Sequence, residues 1–317
     1  MKLALAGGGA FGHKHLDGLR LIDDVEVIAL VGRRIEPTQS MARAYGIHHA
    51  TTELADVLAM EKVDGVILCT PTHLHAHQAM QCLQAGKHVQ IEIPLADSLE
   101  DADAVAKQAA ETGLIAMCGH TRRFNPSHQY IRRRIAAGVL SLQHLQAQTY
   151  FFRRSNINAK GEPRSWTDHL LWHHAAHTVD LFQYQTGERV IAANALEGPH
   201  DPELGIAMDM TIQLKTHSGA LCSLSLSFNN NGPLGTSFRY ICDNGTYLAR
   251  YDDLERGDET PVDLSGTAVS MNGIELQDRE FVSAIREGRQ PEASVADVLP
   301  CYEVLHRLDQ QLRAQRC

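Results

Sequence analysis

The stretch Leu3–Gly12, LALAGGGAFG, decides the fold of this chain. Its first four residues form a short apolar strand, and the pattern G-x-G-x-x-G follows at Gly7, Gly9 and Gly12. A helix is predicted over residues 13–21, so the glycines stand between a strand and a helix, as in a dinucleotide-binding turn. Gly7 permits the tight turn, Gly9 lets the backbone approach a pyrophosphate, and Gly12 lets the helix pack on the strand.

A second apolar strand is predicted over Val25–Val31, where a dinucleotide-binding unit needs one. The residues after it are Gly32-Arg33-Arg34. Folds that prefer NAD place Asp or Glu at this point to bind the ribose 2′-hydroxyl, whereas guanidinium groups favour a 2′-phosphate. The sequence therefore predicts NADP as the cofactor. The alternative is that both arginines are ordinary surface charges.

Strands and helices continue to alternate as far as Cys118, which predicts an α/β domain over residues 1–118 with a doubly wound parallel sheet of the Rossmann type. One strand is predicted over Val63–Cys69, and Thr70-Pro71-Thr72 ends it. Ligands of open parallel sheets bind beyond the carboxyl ends of the strands. This turn is therefore expected to line the nicotinamide side.

The pattern changes after Gly119, where runs of period 2 separated by Gly, Asn and Pro turns replace the alternation. They predict an α+β domain over residues 119–317 with an open, largely antiparallel sheet. One face of this sheet would pack on helices. The other face, if apolar, would need a second copy of the chain, which predicts a homodimer or higher homo-oligomer through the C-terminal sheet.

A row of titratable side chains lies in WTDHLLWHHAAHTVDLF, residues 166–182. His169, His173 and His177 fall at i, i+4 and i+8 of a predicted helix, and Asp180 lies one turn further on. We expect this row to face a reaction site, with His177 as the proton-transfer group; a solvated polar face is the alternative. Imidazole, with an intrinsic pKa near 6.5, suits a general base at neutral pH. Histidines at i, i+4 also occur in zinc sites, but no third ligand stands out and no metal is predicted.

Composition narrows the classes of partner. The chain has 317 residues, 44% hydrophobic and 21% charged, with a formal net charge of -9 and no long basic run, which argues against nucleic acid. Local pairs of arginine on an acidic protein suit a small anionic ligand. Seven scattered cysteines indicate a reducing compartment, and the sequence shows neither a leader peptide nor an apolar run of the roughly 20 residues that a membrane helix needs. We therefore predict a cytoplasmic protein without a membrane partner.

Motifs along the whole chain resemble one oxidoreductase family. They are Gly7-x-Gly9-x-x-Gly12, Thr70-Pro71-Thr72-x-x-His75, Gly86-Lys87-His88-Val89, Glu92-x-Pro94, Arg123-Phe124-x-Pro126 and His177-x-x-Asp180. In this order they resemble the glucose–fructose oxidoreductase / inositol dehydrogenase family. The predicted cofactor-binding residues are then Gly7, Gly9, Ala10, Phe11, Gly12, Arg33, Arg34, Thr70, Pro71, Thr72, His75 and Glu92.

Three longer stretches, HTRRFNPSHQYI from residue 120, YFFRRSN…VDLF from residue 150 and SFNN-GPLGT-FRYICDNGT from residue 227, resemble a narrower group of the family that acts in the protocatechuate 4,5-cleavage pathway of aromatic degradation. This resemblance implies oxidation of the cyclic hemiacetal of 4-carboxy-2-hydroxymuconate-6-semialdehyde to 2-pyrone-4,6-dicarboxylate, with NADP as hydride acceptor. A dicarboxylate needs cationic partners. The predicted substrate-binding residues are Arg122, Arg123, Arg153, Arg154, Asn156, Arg164, His173 and His177, although any single arginine could instead be a surface charge.

Two positions depart from the family pattern. The family has Glu-Lys-Pro where this chain has Glu92-Ile93-Pro94, and often Asp where it has His173. Without that ammonium group, His177 remains as the predicted general base. Asp180 is predicted either to orient His177 or to hold a structural hydrogen bond, so the predicted catalytic set is His177, His173 and Asp180. The alternatives are another sugar or polyol dehydrogenase of the family and a nucleotide-sensing protein that lacks catalysis.

Overall fold

The computed structural model describes residues 1–157, 161, 167–265 and 273–316. Its contacts divide the chain into two compact units, residues 1–120 with 274–299 and residues 121–273 with 300–317. The sequence places its division at 118/119 in chain order only, and this domain boundary stays a prediction. Residues 274–299 group with the first unit, where the Arg279 guanidinium donates to the Leu21 carbonyl and that of Arg286 to the Asp23 carbonyl.

The first unit contains a sheet of six parallel strands in the order β3-β2-β1-β4-β5-β6. The strands are β1 (Lys2–Ala6), β2 (Glu26–Val31), β3 (His49–Thr51), β4 (Gly65–Leu68), β5 (His88–Ile91) and β6 (Ala116–Cys118). Residues 3–6 and all of β4 are buried, as expected of strands covered on both faces. The predicted doubly wound parallel sheet is therefore confirmed. Its order changes direction between β1 and β4, which is where such sheets bind ligands.

Five helices connect these strands: α1 (Ala10–Leu19), α2 (Ile35–Tyr45), α3 (Leu54–Leu58), α4 (His75–Gln84) and α5 (Leu99–Thr112). The Ser98 side chain caps α5 by accepting from the Asp101 backbone N–H, and α2 and α5 end at Gly46 and Gly113 in the left-handed conformation. Such caps satisfy the backbone groups that a helix leaves exposed at its ends.

The second unit contains a seven-stranded sheet in the order β13-β12-β11-β7-β10-β9-β8. Its strands are β7 (Leu142–Tyr150), β8 (Val190–Glu197), β9 (Asp209–Thr216), β10 (Leu221–Ser227), β11 (Gly235–Cys242), β12 (Gly245–Arg250) and β13 (Asp253–Arg256). All pairs are antiparallel except β7 with β10, so the predicted largely antiparallel sheet is confirmed. The sequence missed β13, because its four residues, DLER, carry too few apolar positions to show a period.

The helices that follow in chain order are α6 (Pro126–Ala136), α7 (Ala176–Thr186), α8 (Ile274–Glu287) and α9 (Val295–Arg316). In the second unit, α6 and α7 share a buried polar contact with the sheet. The Tyr240 hydroxyl lies 2.7 Å from Nδ1 of His128, and the Gln185 side chain donates to the His128 carbonyl. These bonds satisfy polar groups inside an apolar core of residues such as Phe182 and Phe238.

The outer face of the seven-stranded sheet is mostly polar. Outward positions on its central strands include Gln146, Gln148, Thr211, Gln213, Ser223 and Ser225. The large apolar side chains that are exposed on this sheet are Ile191, Leu196 and Leu221. The prediction of a homo-oligomer depends on an apolar outer face, and this face is apolar only in part. Assembly of the chain into a homo-oligomer stays a prediction.

Within the part of the chain that the structure describes, no helix combines the length and the apolar composition needed to cross a bilayer. The six cysteines found there carry thiols rather than disulfides.

Candidate functional site

The three motif glycines in the turn after β1 have different surroundings. Gly7 has φ +118°, and a Cβ there would lie 2.3 Å from the Cys69 carbonyl oxygen. A Cβ on Gly12 would lie 2.1 Å from the Gly7 carbonyl oxygen. A Cβ on Gly9 would have no atom within 4 Å, so the backbone at the N-terminus of α1 borders open space. This open approach beside the N–H groups of a helix end fits the pyrophosphate of a dinucleotide.

The turn between β2 and α2 exposes two cations. Arg33 and Arg34 are both exposed, and Arg34 is the residue before the first helical residue. The Thr38 hydroxyl donates to the Arg34 carbonyl at 2.6 Å and fixes this turn. A Cβ on Gly32 would lie 2.1 Å from that hydroxyl oxygen, so Gly32 leaves room for it. Two guanidinium groups beside a helix N-terminus can hold a phosphate.

His75 joins the turns that follow β4 and β5. Its Nδ1 lies 2.7 Å from the Pro94 carbonyl oxygen, and its Nε2 lies 2.8 Å from that of Thr70. Burial lowers the pKa of His75, although both carbonyl groups favour the protonated ring. The structure thus gives His75 a bridging position inside the protein. Its predicted contact with a cofactor, like that of Thr70, Pro71 and Thr72, stays a prediction.

Glu92 lies directly after β5 in a buried cluster of polar side chains. Its Oε1 lies 3.1 Å from His15 Nε2 and accepts from Gln277 Nε2 at 3.2 Å. His15 Nδ1 lies 2.8 Å from Asp278 Oδ1, which also accepts from Gln90 Nε2 at 2.8 Å. Of these five residues, only Glu92 is a predicted site residue. No local pattern connects His15 with a carboxylate 263 residues later in the chain.

Opposite charges set the protonation of this cluster. Burial by itself would lower the pKa of His15, but the charge and hydrogen bond of Asp278, together with those of Cys69, outweigh it and the pKa lies well above its usual range. Burial would raise the pKa of Glu92, but the hydrogen bond and charge of His15 bring it below its usual range. At neutral pH the cluster therefore contains an imidazolium and an ionised Glu92.

The histidine segment of the second unit is not one regular α-helix. His169 has extended backbone (φ -127°, ψ 163°), residues 170–175 form a π-helical turn, and α7 begins at Ala176. The prediction of a continuous α-helix through residue 169 is therefore wrong, because the wider π turn changes the angle between successive side chains. Such turns are frequent at functional sites. The His169 backbone N–H donates to His173 Nδ1 at 3.2 Å, and His177 is half-buried in α7.

Asp180 forms a buried ion pair with Arg123. Its two carboxylate oxygens accept from Nε and one terminal nitrogen of the guanidinium, at 2.8 and 2.6 Å. The Tyr184 ring lies 4.9 Å from the guanidinium carbon. Both partners were predicted site residues, but for different tasks, substrate binding and orientation of His177. The structure brings them together and balances the charge of Arg123 inside the protein.

Asp168 joins two side chains beside the π turn and is not among the predicted site residues. It accepts two hydrogen bonds from Arg153, and its Oδ2 lies 3.1 Å from His174 Nε2. Burial would raise the pKa of Asp168, but the hydrogen bond and charge of His174, together with Arg153, hold it far below its usual range. The charge of Arg153 is thus also balanced by a carboxylate.

The remaining predicted substrate residues have different surroundings. Arg154 is exposed and donates to neutral oxygens, those of the Arg153 carbonyl, the Phe228 carbonyl and the Asn229 side chain. The Asn156 amide donates to the Thr167 hydroxyl. Arg122 is buried, with its guanidinium carbon 5.2 Å from the centre of the Tyr251 ring, and burial lowers its pKa. Arg164 lies outside the described residues.

Among the described residues, no three side chains of His, Cys, Asp or Glu lie close enough together to hold a metal ion.

Comparison with known proteins identifies both parts of the chain. Residues 1–120 match the model of the GFO/IDH/MocA group, described as an oxidoreductase family with an NAD-binding Rossmann fold, and residues 126–268 match a C-terminal model of bacterial oxidoreductases.

A 4-carboxy-2-hydroxymuconate-6-semialdehyde dehydrogenase from Sphingobium sp. is 66% identical over 99% of this chain and 100% of its own length. A myo-inositol 2-dehydrogenase from Thermotoga maritima is 25% identical over 70% of this chain and 66% of its own. A solved levoglucosan dehydrogenase in complex with NADH is similar in fold, with a TM-score of 0.89 at 19% identity over 99% of this chain and 97% of its own.

The glycine turn gives a first prediction. Gly12→Ala forces a Cβ against the Gly7 carbonyl and should lower the free energy of unfolding by about 1–3 kcal/mol. Gly9→Ala meets nothing within 4 Å, so we expect a loss below about 1 kcal/mol but weaker dinucleotide binding. Urea unfolding and cofactor fluorescence titration measure the two effects. Equal stability of the two variants would contradict the packing role of Gly12.

The Arg123–Asp180 pair gives a second prediction. Arg123→Met removes the guanidinium from a carboxylate that is 1% exposed and should cost about 3–5 kcal/mol of unfolding free energy. The matched control is Arg189→Met, which breaks an exposed pair with Glu303 and should cost about 0–1 kcal/mol. Urea unfolding of both variants is the measurement. Similar small losses would show that Arg123 does not stabilise the fold.

Proposed function

The chain belongs to the GFO/IDH/MocA oxidoreductase family, and on that premise we propose that it is an NADP-dependent dehydrogenase that oxidises the cyclic hemiacetal of 4-carboxy-2-hydroxymuconate-6-semialdehyde to 2-pyrone-4,6-dicarboxylate. The observation that carries this proposal is the 66% identity, over 99% of the chain, with a dehydrogenase named for that semialdehyde. Relatives that act on inositol are far less similar, at about 25% identity.

The cofactor site supports a nicotinamide dinucleotide on physical grounds. The open space at Gly9 lies beside the N-terminus of α1, where unsatisfied N–H groups attract a pyrophosphate. The exposed Arg33 and Arg34 stand where a preference for NAD would call for a carboxylate. We assign them to the 2′-phosphate, and this assignment carries the choice of NADP over NAD.

The proposed reaction needs one proton acceptor from the protein. When bound, the oxidised nicotinamide supplies the hydride acceptor. The hemiacetal carbon already bears two oxygens, so loss of its C–H as hydride and of the hydroxyl proton to a base forms the lactone carbonyl, and nothing further is consumed. His177, half-buried in α7, is assigned as that base. The residue after Glu92 is Ile93, which has no titratable group to share the task.

The substrate's carboxylates require cations whose charge is not already balanced. Arg123 and Arg153 each pair with a carboxylate, Asp180 and Asp168 respectively. Arg154 is exposed, and among the described residues it donates only to neutral oxygens. No carboxylate there balances its charge, so its guanidinium group can pair with an anionic ligand. We therefore assign Arg154 as the first anchor of a substrate carboxylate.

An assay of NADPH formation tests the reaction and the base together. Purified enzyme should reduce NADP with the hemiacetal dicarboxylate and show little turnover with inositol, which offers no carboxylate to Arg154. His177→Ala should lower kcat by about 10²–10⁴-fold while NADP affinity stays unchanged. The control His217→Ala changes an exposed histidine in a turn and should leave kcat unaltered. Full turnover by His177→Ala would remove His177 from the mechanism, and turnover with inositol alone would favour a polyol dehydrogenase.

Arg33→Asp tests the cofactor assignment. Replacing a cation with a carboxylate should reduce the ratio of kcat/KM for NADP over NAD by about tenfold or more, because a charge-assisted hydrogen bond to the phosphate is lost. Arg43→Asp makes the same change in the last turn of α2 and should leave the ratio as it is. Steady-state kinetics with both cofactors give the ratio. An unchanged ratio in Arg33→Asp would refute the 2′-phosphate assignment.

A further inference from the structure

The Glu92 carboxylate is held by one oxygen. Oε1 receives both hydrogen bonds, from His15 and Gln277, whereas Oε2 accepts none from the described residues. The side chain is 11% exposed. A Cβ on Gly119 would lie 2.6 Å from Oε1, so this carboxylate fits only because residue 119 is glycine. The protein thus fixes one oxygen of Glu92 and leaves the other for a ligand.

His15 holds Glu92 through a charge. The two ring nitrogens lie 2.8 and 3.1 Å from carboxylate oxygens of Asp278 and Glu92, and a ring that donates to two ionised carboxylates is an imidazolium. His15 and Asp278 are completely buried. The other titratable groups that face this cluster are Cys69, which follows β4, and His75 of α4. Burial raises the pKa of Asp278, whereas the charge and hydrogen bond of His15 and the hydrogen bond from Gln90 oppose that rise. With both carboxylates ionised, the cluster has a net negative charge, and Oε2 of Glu92 is the oxygen that these hydrogen bonds leave unused.

The sheet order locates this charge relative to a dinucleotide. Arg33 and Arg34 follow β2, on one side of the change in strand order, and are assigned to the phosphate of the adenosine half. Glu92 follows β5, on the other side, and its backbone N–H donates to the Leu68 carbonyl at the end of β4. A dinucleotide that spans the crevice places its nicotinamide half on the β4–β5 side.

We propose that His15 and Asp278 are positioning residues that hold Glu92 as a fixed anion beside the nicotinamide half, and that this anion makes the enzyme bind the oxidised cofactor in preference to the reduced one. The proposal rests on the proposed nicotinamide-dependent function. The oxidised ring carries a positive charge that the reduced ring lacks, so a fixed carboxylate attracts only the oxidised form. Exclusion of water strengthens this attraction.

Binding of both cofactor forms to isolated enzyme tests the proposal without turnover. Glu92→Gln keeps the size of the side chain and removes its charge. We expect the ratio of the Kd for NADPH to the Kd for NADP⁺, measured by calorimetry, to fall about three- to tenfold, through weaker binding of NADP⁺. The matched control Glu111→Gln removes an exposed charge from the last turn of α5 and should leave the ratio unchanged. An unchanged ratio in Glu92→Gln, or equal weakening of both forms, would overturn the proposal.

A double-mutant cycle tests the role of His15. If His15 positions Glu92, the effect of Glu92→Gln on the ratio should become much smaller in a His15→Gln background. Effects that simply multiply would overturn the positioning role. Should His15→Gln fail to fold, nitrogen-15 NMR of the wild-type histidines decides instead. The ring whose signals shift in Glu92→Gln should carry two protons at neutral pH, and a neutral ring would refute the assignment. Wild-type enzyme that binds neither cofactor form would overturn the proposed function as well, which separates the two failures.

Discussion

Backbone atoms of three segments meet at the turn after β1, and the cofactor side of the protein depends on that contact. Gly7 packs against the carbonyl of Cys69, the residue after β4, and Gly12 packs against the carbonyl of Gly7. Neither position has room for a methyl group, whereas Gly9 borders open space. The same turn therefore fixes the start of α1 relative to β1 and β4 and leaves helix N–H groups accessible to a phosphate.

Charge balance distinguishes two paired arginines of the second unit, Arg123 and Arg153, from Arg154, which we propose as a substrate anchor. Burial of an ion is costly unless an opposite charge and further hydrogen bonds compensate it. Arg123 meets this requirement with Asp180, and Arg153 with Asp168. Arg154 lies at the surface, where water lowers the cost of its charge. Asp180 and Asp168 thereby reduce the number of cations that are left for an anionic ligand.

In the first unit, the buried cation is the imidazolium of His15, and it contacts two carboxylates rather than one. His15 is an imidazolium between Asp278 and Glu92, and this arrangement keeps Glu92 ionised although the carboxyl is almost entirely buried. In a family in which a lysine usually follows the glutamate, this chain has Ile93, so the only cation bonded to Glu92 within the described residues is one that the fold supplies from α1. The positive charge beside Glu92 is therefore supplied by His15, through packing of α1, rather than by the residue that follows Glu92 in the motif.

The sequence by itself determined the two sheets, their parallel and antiparallel character, and the glycine turn, because strand period, helix period and turn glycines act over a few residues. It also identified Glu92, Arg33, Arg34 and the histidine segment as candidates. Only the tertiary structure decided how their charges are shared. Arg123 pairs with Asp180 across 57 residues of chain and His15 with Asp278 across 263, and no local period records such contacts. The π turn at residues 170–175 was not predicted for a related reason. Histidines four residues apart fit an α-helix and a π turn alike, and the surrounding packing selects between the two.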